Sequence, residues 1–318
     1  MKKHKGFLFL LLVIVSLVLT ACGAQENSQN SDGSKLKIIA TFYPMYEFTK
    51  EVAGDKADVE LLIPAGTEPH DFEPSAKDLA KISEADAFVY NSPELETWTD
   101  HLTDSVDTKK TTVIEASKGI DLMEGSEEEH DHEGEAADHE EEHQHDLDPH
   151  VWLDPVLAIK EVENIQAELS KKDPDNKSAY EKNAAAYIEK LNQLNTKYQD
   201  AFQNASNKTF VTQHAAFGYL AKQYGLTQEA IAGISPDQEP SPSRLGELKD
   251  YVEEHNVSVI YFEENASSKV AETLSNETGV KLAVLNPLES LTNKQIKAGE
   301  NYISVMEENL VALQETIK

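Results

Sequence analysis

The sequence predicts an α/β protein of two similar lobes, each a small, mainly parallel sheet flanked by helices, joined by a long rigid linking helix. Three observations lead there. Short runs of β-branched and aromatic residues alternate with helical patterns, and this alternation occurs twice. Between the two sets lies the best helical periodicity in the chain. At 318 residues there is room for two such units, each with its own core.

In chain order, LKIIAT (residues 36–41), VELLI (59–63), AFVYN (87–91) and TTVIEA (111–116) are the strand candidates of the first set. Helical segments over 46–52 and 75–83 separate them, the second opening on Pro74, Ser75 and Asp78, a helix-start signature. The second set comprises FVTQ (210–213), residues 230–234, VSVIYFE (257–263) and KLAVL (281–285). The joining helix is marked by Tyr180, Ala184, Tyr187, Ile188, Leu191, Leu194, Tyr198 and Phe202. They recur three and four residues apart with no internal Gly or Pro. The expected organisation is a first lobe over 36–174, a linking helix over 175–206 and a second lobe over 207–318. One long helix between lobes restricts the hinge motion that a flexible linker permits.

The N-terminus carries an address. Lys2, Lys3 and Lys5 precede an apolar run from 7 to 19, long enough for a signal h-region and short for a membrane span. It ends in Leu19-Thr20-Ala21-Cys22, which resembles the lipobox of bacterial lipoproteins. Residues 1–21 are therefore expected to be cleaved, with Cys22 the acylated first residue of a flexible tether over 22–35. Cys22 is also the only cysteine, which excludes an intrachain disulfide and a thiolate metal cluster.

With 58 acidic against 28 basic residues, the formal charge is −30. Such a surface repels nucleic acid and attracts cations. Residues 124–148 (EGSEEEHDHEGEAADHEEEHQHDLD) have almost no apolar side chains and are expected to form a mobile loop. His130, His132, His139, His143 and His145 give it weak, exchangeable affinity for divalent cations, unless it is only a solubilising insertion. Its His139-Glu140-Glu141-Glu142-His143 run formally matches the H-E-x-x-H motif. No apolar face exists to dock the helix a zinc protease needs, so the match is read as accidental.

Outside the loop and leader, His101 and His255 stand in polar surface contexts, whereas three histidines share another setting. His70 lies in IPAGTEPHDFEPS, His150 in DPHVWLDP ahead of a helix start at Asp154-Pro155, and His214 in FVTQHAAFGYL. All sit near strand–helix junctions, and ligands of open α/β sheets bind beyond the carboxyl ends of strands. Drawn from both lobes, they can converge across a cleft, and three neutral imidazoles suit Zn²⁺. The fourth donor is Glu289 in LNPLESL, with Glu263, Glu264 or a water as rivals.

The lipobox, PHDFEPS, the His-rich insert, DPHVWLDP, TQHAAFGYLAKQYG, SPDQEPSP, IYFEENASSK and LNPLES together resemble the zinc-specific substrate-binding lipoproteins of ABC transporters. The resemblance runs from Cys22 nearly to the C-terminus. It implies two lobes, a rigid linking helix and metal between the lobes, held by His70, His150, His214 and, as in many Gram-positive members, Glu289. It also implies a monomer at the outer face of a cytoplasmic membrane, handing Zn²⁺, its transported ligand, to a permease driven by an ATPase subunit. The similar manganese-binding proteins place a carboxylate where this chain has His214, so His214 argues for zinc.

Two other classes compete. A zinc hydrolase needs an open coordination position and a base, for which Glu68 or Asp71 is the only offer. A surface adhesin would use the acidic exterior and have no need of His214.

Overall fold

Strand alternation decides how the layers form. In β1 (Leu36–Ala40), Ile38 and Ala40 face one apolar cluster while Ile39 faces another. A strand buried on both faces is what a parallel sheet covered by helices requires. The structure is a computed structural model that describes residues 35–125, 147–236 and 240–318. The leader, Cys22, the tether up to residue 34, and His130, His132, His139, His143 and His145 lie outside the described residues.

The first half runs β1, α1 (Tyr43–Ala53), β2 (Ala57–Leu61), α2 (Ala76–Glu84), β3 (Ala87–Tyr90) and β4 (Thr112–Glu115). Its sheet is parallel, ordered β2-β1-β3-β4, with Ile38 opposite both Val59 and Ala87. The start of α2 follows its sequence signature: the Ser75 side chain accepts from the Asp78 N–H, and the Asp78 carboxylate accepts from the Ser75 N–H. A two-residue antiparallel ribbon follows, β5 (Met123–Glu124) with β6 (Leu147–Asp148). The acidic stretch expected to be mobile over 124–148 is thus ordered at both ends. The β-ladder takes up Glu124, Leu147 and Asp148, and Asp148 is buried.

Helix α3 (Pro155–Lys172) opens on Asp154, whose side chain accepts from Val156 N at 2.8 Å, with Pro155 where its missing N–H costs nothing. Helix α4 (Lys177–Phe202) is the long element the periodicity predicts. Its 26 residues span roughly 39 Å. It buries Tyr180, Ala184, Tyr187, Leu191, Leu194, Tyr198 and Phe202 along one stripe.

The second half repeats the first: β7 (Thr209–Thr212), α5 (Gly218–Tyr224), β8 (Thr227–Ala230), α6 (Pro242–Glu254), β9 (Val259–Phe262), α7 (Lys269–Thr278) and β10 (Lys281–Val284). It closes with α8 (Asn293–Ala298) and α9 (Tyr302–Leu313). Its sheet is again parallel, ordered β10-β9-β7-β8. One strand differs from expectation. The sequence points to 230–234, but β8 ends at Ala230. As an edge strand it tolerates the polar Thr227, Gln228 and Glu229, and it carries no apolar signature. The apolar residues Ile231 and Ala232 instead brace the turn after β7, through Ile231 N to Thr212 O at 2.9 Å and Ala232 N to Gln213 O at 2.8 Å.

One core cluster runs through both halves along α4. It joins Phe48 of α1 to Tyr187 and Tyr302 (ring centroids 5.9 and 4.9 Å) and continues to Leu194, Tyr198 and Phe210. The outer face of each sheet has its own smaller cluster, around Phe88 in the first and Ile260 in the second. Among the described residues, no helix is long and apolar enough to cross a membrane.

Because α4 is the element shared by both halves, Leu191→Ala is expected to cost about 2–5 kcal/mol of unfolding free energy in urea denaturation. Lys182→Ala, on the exposed face of the same helix, is expected to change it by no more than about 0.5 kcal/mol.

Candidate metal centre

Four segments at the carboxyl ends of the two sheets deliver one side chain each. His70 sits in the loop between β2 and α2, where its own N–H donates to Glu68 Oε1 at 3.1 Å. His150 follows the ribbon strand β6. Its position is pinned by Asn91 Nδ2 donating to the Pro149 carbonyl (2.9 Å) and by Trp152 Nε1 donating to the Pro287 carbonyl (2.8 Å). His214 comes two residues after β7, its carbonyl accepting from Thr212 Oγ1 (2.7 Å) and Gln228 Nε2 (3.1 Å).

Glu289 needs the most local support. The residue before it, Leu288, is in the left-handed region at φ 61°, which costs a residue with a Cβ about 1–2 kcal/mol. Asn286 Oδ1 accepts from Leu288 N at 2.7 Å, and Asn309 clamps the Asn286 backbone through both its N–H and its carbonyl. The Leu288 side chain is fully buried. These contacts offset the strain and turn the Glu289 carboxylate inward.

The four side chains meet at one point. His150 Nε2 lies 3.2 Å from His70 Nε2, 3.4 Å from His214 Nε2 and 3.0 Å from Glu289 Oε1. Glu289 Oε1 lies 3.4 Å from His70 Nε2 and 3.2 Å from His214 Nε2. Four donors around Zn²⁺ with bonds of about 2.0–2.1 Å form a tetrahedron with edges of about 3.3–3.4 Å. Five of the six edges here are 3.0–3.4 Å, so the group is already the size of a zinc tetrahedron. The bonds of about 2.3–2.6 Å that Ca²⁺ takes, to six or more oxygens, fit neither the spacing nor the donor types. It is also the only such convergence of His, Cys, Asp and Glu among the described residues.

A second layer fixes which nitrogen faces inward. Asp148 Oδ1 accepts from His150 Nδ1 at 2.7 Å, and Glu263 Oε1 accepts from His214 Nδ1. A carboxylate only accepts, so each Nδ1 carries the proton and each Nε2 keeps its lone pair for a metal. Glu263 therefore stands behind His214 rather than in the donor set, and Glu264 is exposed.

The charges follow from this packing. Burial opposes a charged imidazole at His150, but the Asp148 and Glu289 carboxylates outweigh it and raise its pKa above 6.5. At His214 burial is likewise outweighed, by Glu263 and Glu289, and the pKa stands well above 6.5. Burial lowers His70. Burial would raise Glu289, but His214, His150 and His70 hold its carboxyl well below the usual carboxylate range. Burial and the neighbouring Glu289 push Glu68 up to about 9. At neutral pH Glu68 is therefore a protonated acid, and Asp71 is exposed. His101 and His255 are exposed and take no part in the cluster.

Asp148 and Glu263 are the site residues that sequence reasoning misplaced. Asp148 reads as the end of the acidic loop, and Glu263 as a rival ligand. The one legible signal was Asp148 two residues before His150, a spacing at which a carboxylate can reach both the backbone N–H and Nδ1 of the histidine.

Comparison with known proteins identifies the family. A family model described as zinc-uptake complex component A, periplasmic, matches residues 38–316. The chain is 57% identical over 312 residues to the zinc-binding lipoprotein AdcA of Streptococcus pneumoniae strain R6, covering 98% of this chain and 61% of AdcA. It thus spans about three-fifths of that relative's length. It is 54% identical over 303 residues to the high-affinity zinc uptake system protein ZnuA of Bacillus subtilis strain 168, covering 95% of this chain and 94% of that protein. Among solved structures, the Zn(II)-bound ZnuA-like domain of S. pneumoniae AdcA superposes with a TM-score of 0.75 at 56% identity, over 89% of this chain and 98% of that one. The metal-dependent lipoprotein YcdH of B. subtilis superposes with 0.76 at 52% identity, over 89% and 99%. Two parallel sheets, a shared long helix and one buried three-histidine centre thus coincide with a match over nearly the whole described chain, and the protein belongs to the zinc-uptake complex component A (ZnuA) family.

Proposed function

We propose that this protein captures Zn²⁺ outside the cell and delivers it to an ABC permease and its ATPase subunit. In this reading the ion is held by His70, His150 and His214 through Nε2 and by Glu289 through Oε1. The observation that carries the reading is the convergence of these four atoms at tetrahedral spacing. The names of the relatives, which are zinc-binding and zinc-uptake proteins, support zinc as the cargo. We take residues 36–174 and 207–318 as the two lobes, 175–206 as their link, and Cys22 as the lipid anchor that keeps the protein at the outer face of the membrane.

The physical steps are capture, closure and delivery, with no covalent chemistry. Three imidazoles and one carboxylate favour Zn²⁺ over the harder Mn²⁺. Four protein donors leave no open position for a reacting water, the arrangement of a holding site rather than a catalytic one. His150 and His214 are fully buried, so in this reading the ion enters and leaves when the halves separate. Delivery then requires the permease to favour the separated form.

His214→Ala is expected to weaken Zn²⁺ affinity roughly a hundredfold or more in competition with a chelating dye. His214→Asp is expected to shift the preference toward Mn²⁺; unchanged affinity in the first variant and unchanged selectivity in the second would count against the site. The pH dependence follows from the raised histidine pKa values. Zn²⁺ must displace protons from His150 and His214, so affinity rises with pH up to those raised values and levels off above them. In the metal-free protein the same charges stabilise the fold fully below about pH 6.5, and that stabilisation is lost as pH climbs through the folded-state values. Thermal melts of the metal-free protein should therefore fall across that window, while the zinc-loaded protein lacks the decline.

A further inference from the structure

The ribbon β5–β6 is too short to hold itself together, since it has only the pairs Met123–Asp148 and Glu124–Leu147. It is fastened from the other half of the molecule. On the Met123–Asp148 rung, the hydroxyl of Tyr219 accepts from the Met123 N–H at 2.8 Å and donates to the Asp148 carbonyl at 2.6 Å. Tyr219 belongs to α5, which follows the first strand of the second sheet, and its side chain is buried.

The residue before it completes the fastening. A Cβ on Gly218 would come within 2.9 Å of Asp148 Oδ2, so any other residue there would push the carboxylate out of its place. The other oxygen, Asp148 Oδ1, accepts from the backbone N–H of His150 at 2.9 Å and from its Nδ1 at 2.7 Å. A chain of contacts therefore runs from α5 through Asp148 to a donor that the first half supplies. Helix α5 also follows His214 by only four residues, so one short segment both carries one donor and orients another.

We propose that Tyr219 and Gly218 are positioning residues for the metal centre, holding Asp148 against His150 so that His150 Nε2 faces the metal only while α5 and the ribbon touch. The inference deepens the metal-capture reading and rests on it. Separation of α5 from the ribbon breaks both hydrogen bonds of the Tyr219 hydroxyl, which hold the backbone of Asp148, and removes the packing of Gly218 against its carboxylate. The His150 ring then loses its fixed orientation. Metal retention and contact between the halves become one equilibrium, which is what a carrier that must surrender its ion requires.

The test uses the full chain with Tyr219→Phe and Gly218→Ala. Tyr224→Phe serves as control, because it removes another largely buried hydroxyl from the same helix, one that donates to Asn195 Oδ1 at 3.0 Å. Two quantities are read: the rate of Zn²⁺ loss to excess EDTA, and the NMR signals of the His150 and His214 Nδ1–H protons in the metal-free protein. Tyr219→Phe and Gly218→Ala are expected to speed Zn²⁺ loss about tenfold and to shift the His150 Nδ1–H signal while leaving that of His214 in place. Tyr224→Phe is expected to match the wild type in both. Wild-type release and an unmoved His150 signal in Tyr219→Phe would overturn the proposal, as would an equal change in Tyr224→Phe. A wild-type protein that fails to retain Zn²⁺ would instead overturn the metal-capture reading itself, and this inference with it.

Discussion

Everything in this molecule answers to one constraint: three imidazole nitrogens and a carboxylate oxygen are held about 3 Å apart in a place nearly without water. Lone pairs facing one another at that distance repel unless a cation or shared protons lie between them. The fold must therefore supply rigidity from outside the cluster. It does so by taking each donor from a different chain segment and bracing each backbone separately, with Asn91 behind His150, Gln228 behind His214, and Asn286 with Asn309 behind Glu289. In the metal-free protein the protons raised onto His150 and His214, facing the lowered Glu289, are the cluster's own answer to the repulsion.

The repeated architecture serves this end. Parallel sheets leave their carboxyl ends as the natural meeting place for loops, and two sheets in one molecule bring two such ends together. Helix α4 makes the pairing stiff. Its buried stripe belongs to the core of both halves, so they cannot swing on it as they would on a loop. Beside the shared apolar core, which includes Trp152 and Leu288, polar ties cross the site. Gly66 N to Ser290 Oγ at 2.6 Å, Trp152 to Pro287 and Tyr302 to Trp152 are among them, together with the fastening of the ribbon by Tyr219. The part-buried Gly66–Ser290 bond exchanges for water at little cost, whereas the buried bonds of Trp152, Tyr302 and Tyr219 and the α4 core do not.

Much of this was legible in the sequence because it is periodic or local. The stripe from Tyr180 to Phe202 is a 3.6-residue repeat, and the caps at Ser75 and Asp154 are short-range patterns that fold as they read. His70, His150 and His214 stood out because each sits where strand gives way to helix. What failed to show was whatever depends on a partner distant in sequence. The edge strand β8 carries Thr-Gln-Glu-Ala, a run that no propensity marks as a strand, and only its ladder to β7 makes it one. Asp148 looked like loop acid until Tyr219, 71 residues away, fixed it. The left-handed turn at Leu288 is held by nearby Asn286, but the Asn309 that clamps the Asn286 backbone arrives from α9.

The central claim is that the four converging atoms enclose one zinc ion. Crystals of the zinc-loaded protein, with diffraction recorded on both sides of the zinc absorption edge, test it most directly. The account predicts a single strong anomalous peak about 2.0–2.1 Å from His70 Nε2, His150 Nε2, His214 Nε2 and Glu289 Oε1. A zinc peak elsewhere, with none among these four atoms, would contradict it.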